Sequence, residues 1–166
     1  MNGMHDAEDI IASAAQRLTE FLTARNMRKT PERNEILRAA CRIPGIFTID
    51  QLDEQIRQQG RLQVSRTTLF NNLETLVEAQ LLIKHTLARA AHYELNMKPA
   101  PKAYLVCDHC RKVVKLERRE LEKYLAAVRS KSFVVQQPVL YLHGLCRKCY
   151  MEQKRKVKQT NKQTHD

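Results

Sequence analysis

The sequence lacks any apolar run long enough to cross a membrane. Its longest hydrophobic stretches fall far short of the roughly 20 residues that a transmembrane helix needs. Its first residues have neither the basic segment nor the apolar segment of a secretory signal. Tryptophan is absent and only 5% of the residues are aromatic, yet a hydrophobic content of 43% is enough for cores in a chain of 166 residues. We therefore expect a soluble cytoplasmic protein, with no membrane partner, made of one ordinary domain or two small ones.

Acidic residues are too few in the second half of the chain to balance the basic ones. The net charge is +11, and residues 1–96 carry 12 basic and 12 acidic side chains, so the whole excess lies beyond them. An excess of this size favours a polyanionic partner. The basic run at 154–158 is more typical of a solvated end. We expect residues 151–166 to form a basic, disordered tail.

Four of the five cysteines form two CxxC pairs, Cys107 with Cys110 and Cys146 with Cys149. Four soft sulfur ligands at this spacing match a closed tetrahedral zinc site, which predicts one structural Zn²⁺ per chain. Two disulfides are the alternative, but a reducing compartment disfavours them. A thiol oxidoreductase is a further alternative. It would place a CxxC at a helix start in a thioredoxin-like unit, and neither pair follows that pattern.

The first 96 residues predict helices followed by a hairpin. Apolar residues recur at helical spacing from Asp6 to Arg25. Thr30 and Thr48 are placed to cap a second and a third helix. Ser65 caps a fourth helix, whose opening residues are small and polar. Two helices with a short connection, the second opening on hydrogen-bonding side chains, describe a helix-turn-helix with a recognition helix for the major groove.

Strand-like stretches at 81–87 and 91–95 follow the fourth helix and predict a hairpin. A hairpin in this position makes residues 1–96 a winged-helix DNA-binding domain. On pattern alone, a helical scaffold without a nucleic-acid role stays open. The Pro-rich segment 97–102 has no hydrophobic period and predicts a hinge between two domains.

Residues 103–150 predict a small α+β domain around the two CxxC pairs. A unit with so little core gains stability from a structural metal. We expect a helix at 117–129 whose apolar stripe is Leu121, Tyr124, Leu125 and Val128. We expect strands at 103–106, 113–116, 133–135 and 139–144.

In this order and spacing, these features resemble the ferric uptake regulator family of metal-responsive bacterial transcription repressors. The resemblance implies a homodimer through the C-terminal domain, with two winged helices on a pseudo-palindromic operator in double-stranded DNA. It covers about residues 24–150. It is carried by Arg28-Lys29-Thr30-Pro31-Glu32-Arg33, Thr67-Thr68-Leu69-Phe70-Asn71-Asn72-Leu73, Tyr93-Glu94-Leu95, Cys107-Asp108-His109-Cys110-Arg111-Lys112-Val113 and Leu142-His143-Gly144-Leu145-Cys146-Arg147-Lys148-Cys149.

The resemblance also implies a set of DNA contacts. Family members typically have a Tyr-Arg pair where this chain has Phe70-Asn71, so we expect an altered or weaker sequence preference. Phosphate contacts are expected from Arg28, Lys29, Arg33 and Arg66, and base contacts from Thr68, Phe70 and Asn71, with Ser65 and Thr67 beside them.

The family's regulatory metal site is the part least matched. Its members usually carry a His-rich stretch before the first CxxC that binds regulatory Fe²⁺, Mn²⁺ or Zn²⁺, whereas this chain has Pro101-Lys102-Ala103-Tyr104. Of the hinge ligands only Glu94 is kept, and a lone carboxylate cannot select a divalent ion. The histidines that could replace the missing metal ligands are His85, His92, His109 and His143. For each of them, a surface or wing histidine that binds no metal is the favoured interpretation.

The sequence therefore predicts a transcriptional regulator, acting as a repressor and not as an enzyme, with little response to Fe²⁺ or Mn²⁺. A zinc-stabilised interaction module that has lost DNA binding is one alternative. A haem-responsive regulator is another, because a lone axial ligand can hold haem. The candidate axial ligands are His85, His92 and Cys41.

Overall fold

The computed structural model describes residues 3–59, 63–87, 90–97 and 100–163. The chain divides into two compact units, Met1–Lys98 and Pro99–Asp166. The division falls inside the predicted hinge, between two residues that lie outside the described ranges. None of the described helices is both long enough and apolar enough to span a bilayer.

Among its described residues, the first unit contains four helices, and the second, third and fourth begin directly after the predicted N-cap residues. They are α1 Gly3–Ala24, α2 Pro31–Arg42, α3 Ile49–Gln58 and α4 Arg66–Glu78. The hydroxyls of Thr30, Thr48 and Ser65 each accept a backbone N–H from the first turn of the helix that follows. Such a cap satisfies a donor that the helix itself leaves unpaired.

A three-stranded antiparallel sheet completes this unit. Its strands are β1 Ile46–Thr48, β2 Leu82–Leu87 and β3 Ala90–Leu95, in the order β1-β3-β2. The predicted hairpin is β2 and β3, while residues 88–89 of its turn lie outside the described ranges. Strand β1 was not predicted. Gly45 precedes it with a φ of +74°, a conformation that glycine adopts without strain. Helices and sheet together form the predicted winged helix.

The core of this unit draws on every one of these elements. Its two largest fully buried side chains are Tyr93 of β3 and Phe47 of β1, whose ring centroids lie 6.1 Å apart, and fully buried leucines or isoleucines from α1, α2, α3 and α4 complete the core. Burying each such side chain contributes about 1.5–3 kcal/mol. The core therefore fixes α4 through Leu69, Leu73 and Leu76, and leaves its opposite face in solvent.

The second unit consists of a small sheet with two helices. The elements are β4 Lys102–Cys107, β5 Val113–Lys115, α5 Arg119–Ala127, β6 Val139–Gly144 and α6 Arg147–Gln163. The strand order is β5-β4-β6, with β4 antiparallel to β5 and parallel to β6. Among the described residues of this unit, the buried side chains are few: Ala103, Tyr104, Val106, Cys107 and Cys149.

Of the predictions for apolar segments of the second unit, the helix at 117–129 is present as α5, whereas the strand at 133–135 is wrong. Residues 133–135 form no strand, because β4 already has β5 and β6 on its two edges and neither of those pairs with this segment. Helix α5 buries none of its side chains, and Tyr124 is 76% exposed. An apolar stripe predicts a face that prefers contact, but it does not say whether the contact lies within one chain.

The prediction of a disordered tail is also corrected. Helix α6 continues from Arg147 to Gln163, through most of the segment that we expected to be disordered. Its sequence is rich in Gln, Lys and Arg, and it contains neither Gly nor Pro to end a helix. High charge by itself does not prevent a helix that starts from an ordered first turn.

Candidate metal centre and nucleic-acid interface

The two CxxC pairs meet because the strands that lead into them are parallel. Cys107 ends β4, and in the register of the sheet it lies opposite Gly144, which ends β6. The two strands therefore finish at the same end of the sheet. Cys146 follows Gly144 by only two residues and so lies near Cys107. A hydrogen bond of 2.8 Å from the Asp108 N–H to the Gly144 carbonyl joins the two turns. Cys107 and Cys146, which are 39 positions apart in the sequence, are thereby brought into contact.

Each pair forms a tight turn of its own. In the first, the Arg111 N–H donates to the Cys107 carbonyl and the Cys107 N–H to the Lys112 carbonyl, both at 2.9 Å. Arg111 closes that turn with a φ of +62°. In the second, Cys149 lies in the first turn of α6, and the Tyr150 N–H donates to the Cys146 carbonyl at 2.9 Å.

The four sulfur atoms have the spacing of a tetrahedral metal site. All lie within 4.8 Å of one another, and Cys110 Sγ is 3.7 Å from Cys146 Sγ. Four ligands at the zinc–sulfur distance of about 2.3 Å would be about 3.8 Å apart at the edges of the tetrahedron. None of the five cysteines forms a disulfide in the structure, so all four sulfurs of the cluster are free to bind a metal. The residues present fit Zn²⁺ in number, element and geometry.

The protein environment prepares some of these thiols for a metal and not others. The backbone N–H of Cys146, 3.2 Å from Cys107 Sγ, and that of Cys110 lower the pKa of the Cys107 thiol to about 6. The Cys149 N–H lowers the pKa of Cys146 in the same way. Burial, with the neighbouring sulfurs, raises the pKa of Cys149 to about 12. Without a cation the cluster therefore keeps a proton, and the charge of Zn²⁺ is what would remove it.

Other polar residues near the cluster belong to a separate interaction. His143 Nδ1 lies 2.9 Å from Asp108 Oδ1, and both side chains are about half exposed. His109 is exposed in the first turn. Within the described ranges, the four cysteines are the only group of three or more His, Cys, Asp or Glu residues with their ligand atoms together.

In the first unit, the start of α4 carries the predicted DNA-binding side chains. Thr67, Phe70 and Asn71 are exposed, and Phe70 is 42% exposed despite its apolar ring. Ser65 and Thr68 are partly occupied, because the Ser65 hydroxyl caps the helix and lies 2.8 Å from the Thr68 hydroxyl. The structure thus leaves three of these side chains on the outer face of the helix and uses two for its first turn.

Two of the predicted phosphate-binding arginines already have partners. Arg66 donates to Asp50 Oδ1 at 2.7 Å, and both side chains are well exposed. An exposed ion pair contributes about 0–1 kcal/mol, so a phosphate can replace Asp50. Arg33 is held more firmly: it donates to Asn72 Oδ1 and to the Arg28 carbonyl, each at 2.9 Å. The side chains of Arg28 and Lys29 are exposed.

Asn72 is a buried polar residue whose structural role the sequence did not identify. It is 5% exposed, accepts from Arg33, and donates to the Thr68 carbonyl at 2.8 Å. Its position was the available signal, since it lies between Leu69 and Leu76 on the buried face of α4. A polar residue on an apolar face generally has a hydrogen-bond partner.

The predicted regulatory residues occupy the wing sheet. His85 is fully buried, and its Nε2 lies 3.1 Å from Oε2 of Glu94, which is 8% exposed. His92 lies opposite His85 in the strand register and is half-buried. Cys41 packs against the core of this unit, and burial raises the pKa of its thiol to about 11. The sequence placed His85 and Glu94 in one set, and the structure brings these two together.

Comparison with known proteins decides the family. The sequence profile of the ferric uptake regulator family matches residues 24–143, which is well over half of the chain. The chain belongs to the ferric uptake regulator family. It is accordingly a transcriptional regulator and not an enzyme. The matched range ends before Cys146, so the second CxxC lies outside it.

Individual relatives cover most of the chain. It is 26% identical over 146 residues to the ferric uptake regulation protein of Campylobacter jejuni, covering 86% of this chain and 92% of that one. With the Synechococcus elongatus protein of the same name the identity is 28% over 138 residues, covering 81% and 94%.

Solved structures of ferric uptake regulators share the fold. The Helicobacter pylori protein, which has three functional metal-binding sites, superposes with a TM-score of 0.66 at 17% identity, covering 84% of this chain and 93% of that one. The Pseudomonas aeruginosa protein with manganese gives a TM-score of 0.63 at 20% identity, covering 78% and 97%. At such identities, these likenesses establish the winged-helix and α+β architecture.

Proposed function

We propose that this regulator is a homodimeric, DNA-binding repressor with one structural Zn²⁺ per chain, bound by Cys107, Cys110, Cys146 and Cys149. The observation that carries the DNA-binding part is the exposed start of α4, where an apolar ring and an amide point away from the core. A phenyl ring can contact a thymine methyl, and an asparagine can read adenine through two hydrogen bonds. The operator is a pseudo-palindrome in double-stranded DNA, because two copies of one recognition helix read two half-sites.

Zinc has a structural role in this proposal. Four thiolates fill its coordination shell and leave no open position for a substrate. When bound, the ion supplies positive charge that deprotonates the sulfurs and ties β4 to the start of α6. The small core of the second unit supports this assignment, because metal binding then contributes directly to its folding.

The dimer contact is proposed to lie on the second unit. Leu105 of β4 is paired with Val114 of β5 on one side and with Leu142 of β6 on the other. Paired residues point to the same face of a sheet, and these three are each 42–43% exposed. Such a row of apolar side chains marks an interface.

The proposed repressor does not depend on a second, regulatory metal. Glu94 is already paired with a buried histidine, and within the described ranges its ligand atoms form no group of three with others. Haem is disfavoured at two of its candidate ligands, since His85 is fully buried and Cys41 retains its proton. The zinc-loaded dimer is therefore competent for its operator, with little response to Fe²⁺ or Mn²⁺.

The test is DNA binding by matched variants of the zinc-loaded protein. A duplex selected by the parent protein from random sequences serves as the operator. Asn71→Ala should relax the preference at one base position by about 1–3 kcal/mol, while Arg28→Ala should weaken binding to all sequences alike. If neither variant changes affinity at moderate salt, the chain is a zinc-stabilised interaction module instead.

A further inference from the structure

The positive charge of this protein is concentrated on its last helix. Between Arg147 and Gln163, α6 carries seven basic residues and one acidic residue. The first unit, by contrast, is balanced in charge over residues 1–96. Part of its positive charge is balanced locally, as in the ion pairs Arg25–Glu78 and Arg57–Asp53. The DNA-reading unit therefore lacks the excess charge on which affinity for DNA usually rests.

The basic side chains at the start of α6 are available to a partner. Arg147, Lys148, Lys154 and Arg155 are exposed, and none of these four takes part in an ion pair among the described residues. Lys154 Nζ lies 4.8 Å from the centroid of the Tyr150 ring, a cation–π contact that orders the side chain and keeps its charge. These four side chains are thus charged and exposed to solvent, and Lys154 is partly ordered before a partner binds.

Helix geometry gathers these four residues on one face. At 3.6 residues per turn, positions 147, 148, 154 and 155 fall within an arc of about 120°. The first turn of this helix also contains Cys149, whose sulfur belongs to the four-cysteine cluster. A metal bound by this cluster would therefore hold the first turn of α6 in place. The four basic side chains form a row along one face of this helix.

We propose that α6 is a second DNA-contacting element, which binds phosphates without reading sequence. This inference rests on the proposed DNA-binding function of α4 and adds to it a source of affinity that the first unit lacks. Cations that neutralise phosphates release counterions and dominate the strength and salt dependence of protein–DNA binding.

The experiment compares two doubly substituted, full-length, zinc-loaded proteins. One carries Lys154→Gln and Arg155→Gln in α6. The control carries Arg119→Gln and Lys123→Gln, exposed residues of α5, and loses the same charge. Glutamine is a good helix former, so zinc content and helicity should match the parent in both. Binding is measured on the selected operator and on a scrambled duplex between 50 and 300 mM salt.

The α6 variant should bind both duplexes about 5-fold or more weakly at 0.1 M salt, with an unchanged ratio between them. The proposed dimer loses two cations from each of its two chains, so the slope of log affinity against log salt should fall by between about 2 and 4. Arg155→Gln alone, which removes one cation from each chain, should lower the slope by about 1 to 2. The α5 control should keep the parent's affinity and slope.

Several results would overturn the proposal. An unchanged slope in the α6 variant, or an equal loss in the α5 control, removes any special role for α6 while the α4 function stands. A parent protein that binds no duplex removes both proposals. If DNA binding is unchanged but retention on phosphatidylserine vesicles is lost, the basic face serves an anionic membrane surface instead.

Discussion

Arg33 Nε donates a 2.9 Å hydrogen bond to Oδ1 of Asn72, which joins α2 to the recognition helix α4. The asparagine is 5% exposed, so few water molecules can replace this donor. The same guanidinium donates to the backbone carbonyl of Arg28, at the entry to α2. Arg33 thus holds the orientation of the recognition helix, beyond any phosphate contact it makes.

Replacing Arg33 by Ala should therefore destabilise the first unit. The buried Asn72 oxygen loses its donor, which costs about 1–3 kcal/mol in the free energy of unfolding, measured by urea denaturation. Arg28→Ala is the control, because it keeps the backbone carbonyl and removes only an exposed side chain, with an expected change within about 0.5 kcal/mol. Equal stability of the two variants would show that the Arg33–Asn72 bond contributes nothing.

Removing one sulfur should empty the metal centre. Cys110→Ser leaves three thiols, and we expect loss of zinc together with loss of structure or dimerisation in the second unit. Metal content per chain and circular dichroism provide the measurement. Cys41→Ala is the matched control, since Cys41 lies in the core of the first unit and should leave zinc in place. A Ser variant that retains zinc, fold and dimer contradicts the assignment.

Zinc affinity should rise with pH. Zn²⁺ binds thiolates, and burial raises the pKa of Cys149 to about 12, so zinc binding at pH 8 must displace at least this proton. Cys107, with its pKa lowered to about 6 by the Cys146 N–H, is already ionised there and takes up a proton only below that value. The apparent affinity should fall as pH is lowered and fall more steeply below pH 6. Chelator competition between pH 5.5 and 8.5 measures it, and a flat profile would count against thiolate coordination.

The dimer contact can be tested with two substitutions of equal exposure. Leu105→Glu places a charge in the apolar row of the second unit and should produce monomers, seen by sedimentation. Phe70→Glu is the control, because Phe70 is also 42% exposed but lies on α4 of the first unit. Monomers from both variants, or from neither, would remove the sheet face as the interface.

The cysteines show how far sequence reasoning reaches. Their spacing predicted that the four thiols could share one metal ion, because coordination chemistry limits which residue types bind together, and the structure brings the four sulfur atoms together. What spacing cannot supply is the parallel pairing of β4 with β6, which brings Cys107 and Cys146 to the same sheet edge. That pairing depends on residues distant in the chain, which local patterns do not record.

The features that the sequence did not predict share a different cause. Residues 133–135 have an apolar pattern but form no strand, and among the described residues Val134 is 82% exposed while α5 buries none of its side chains. Strand β1 is only three residues long, and its place is set by its ladder with β3. Asn72 appears in the sequence only as part of the motif at 67–73, whereas its role depends on Arg33, 39 positions away. Each of these features is defined by tertiary contact.

The response to further metals tests the regulatory proposal most directly. For Fe²⁺ or Mn²⁺ to bind at the wing, Glu94 would have to exchange its 3.1 Å contact with the buried His85 for a metal and recruit further ligands. We expect operator affinity of the zinc-loaded protein to change by less than about 5-fold when either ion is added under anaerobic conditions, because allosteric coupling typically gives about 5- to 150-fold. Glu94→Gln, which keeps the shape and a hydrogen-bonding group beside His85, should behave as the parent does.

A larger gain with Fe²⁺ that disappears in the Glu94→Gln protein would place a working metal sensor in the wing and overturn this expectation. A gain with haem alone, lost in His92→Ala, would favour haem regulation, since His92 is the more accessible of the two wing histidines. With no gain from any of them, DNA occupancy is set by zinc loading and protein concentration. That result follows if the contact between the buried His85 and Glu94 already fills the place where a metal ion would have to bind.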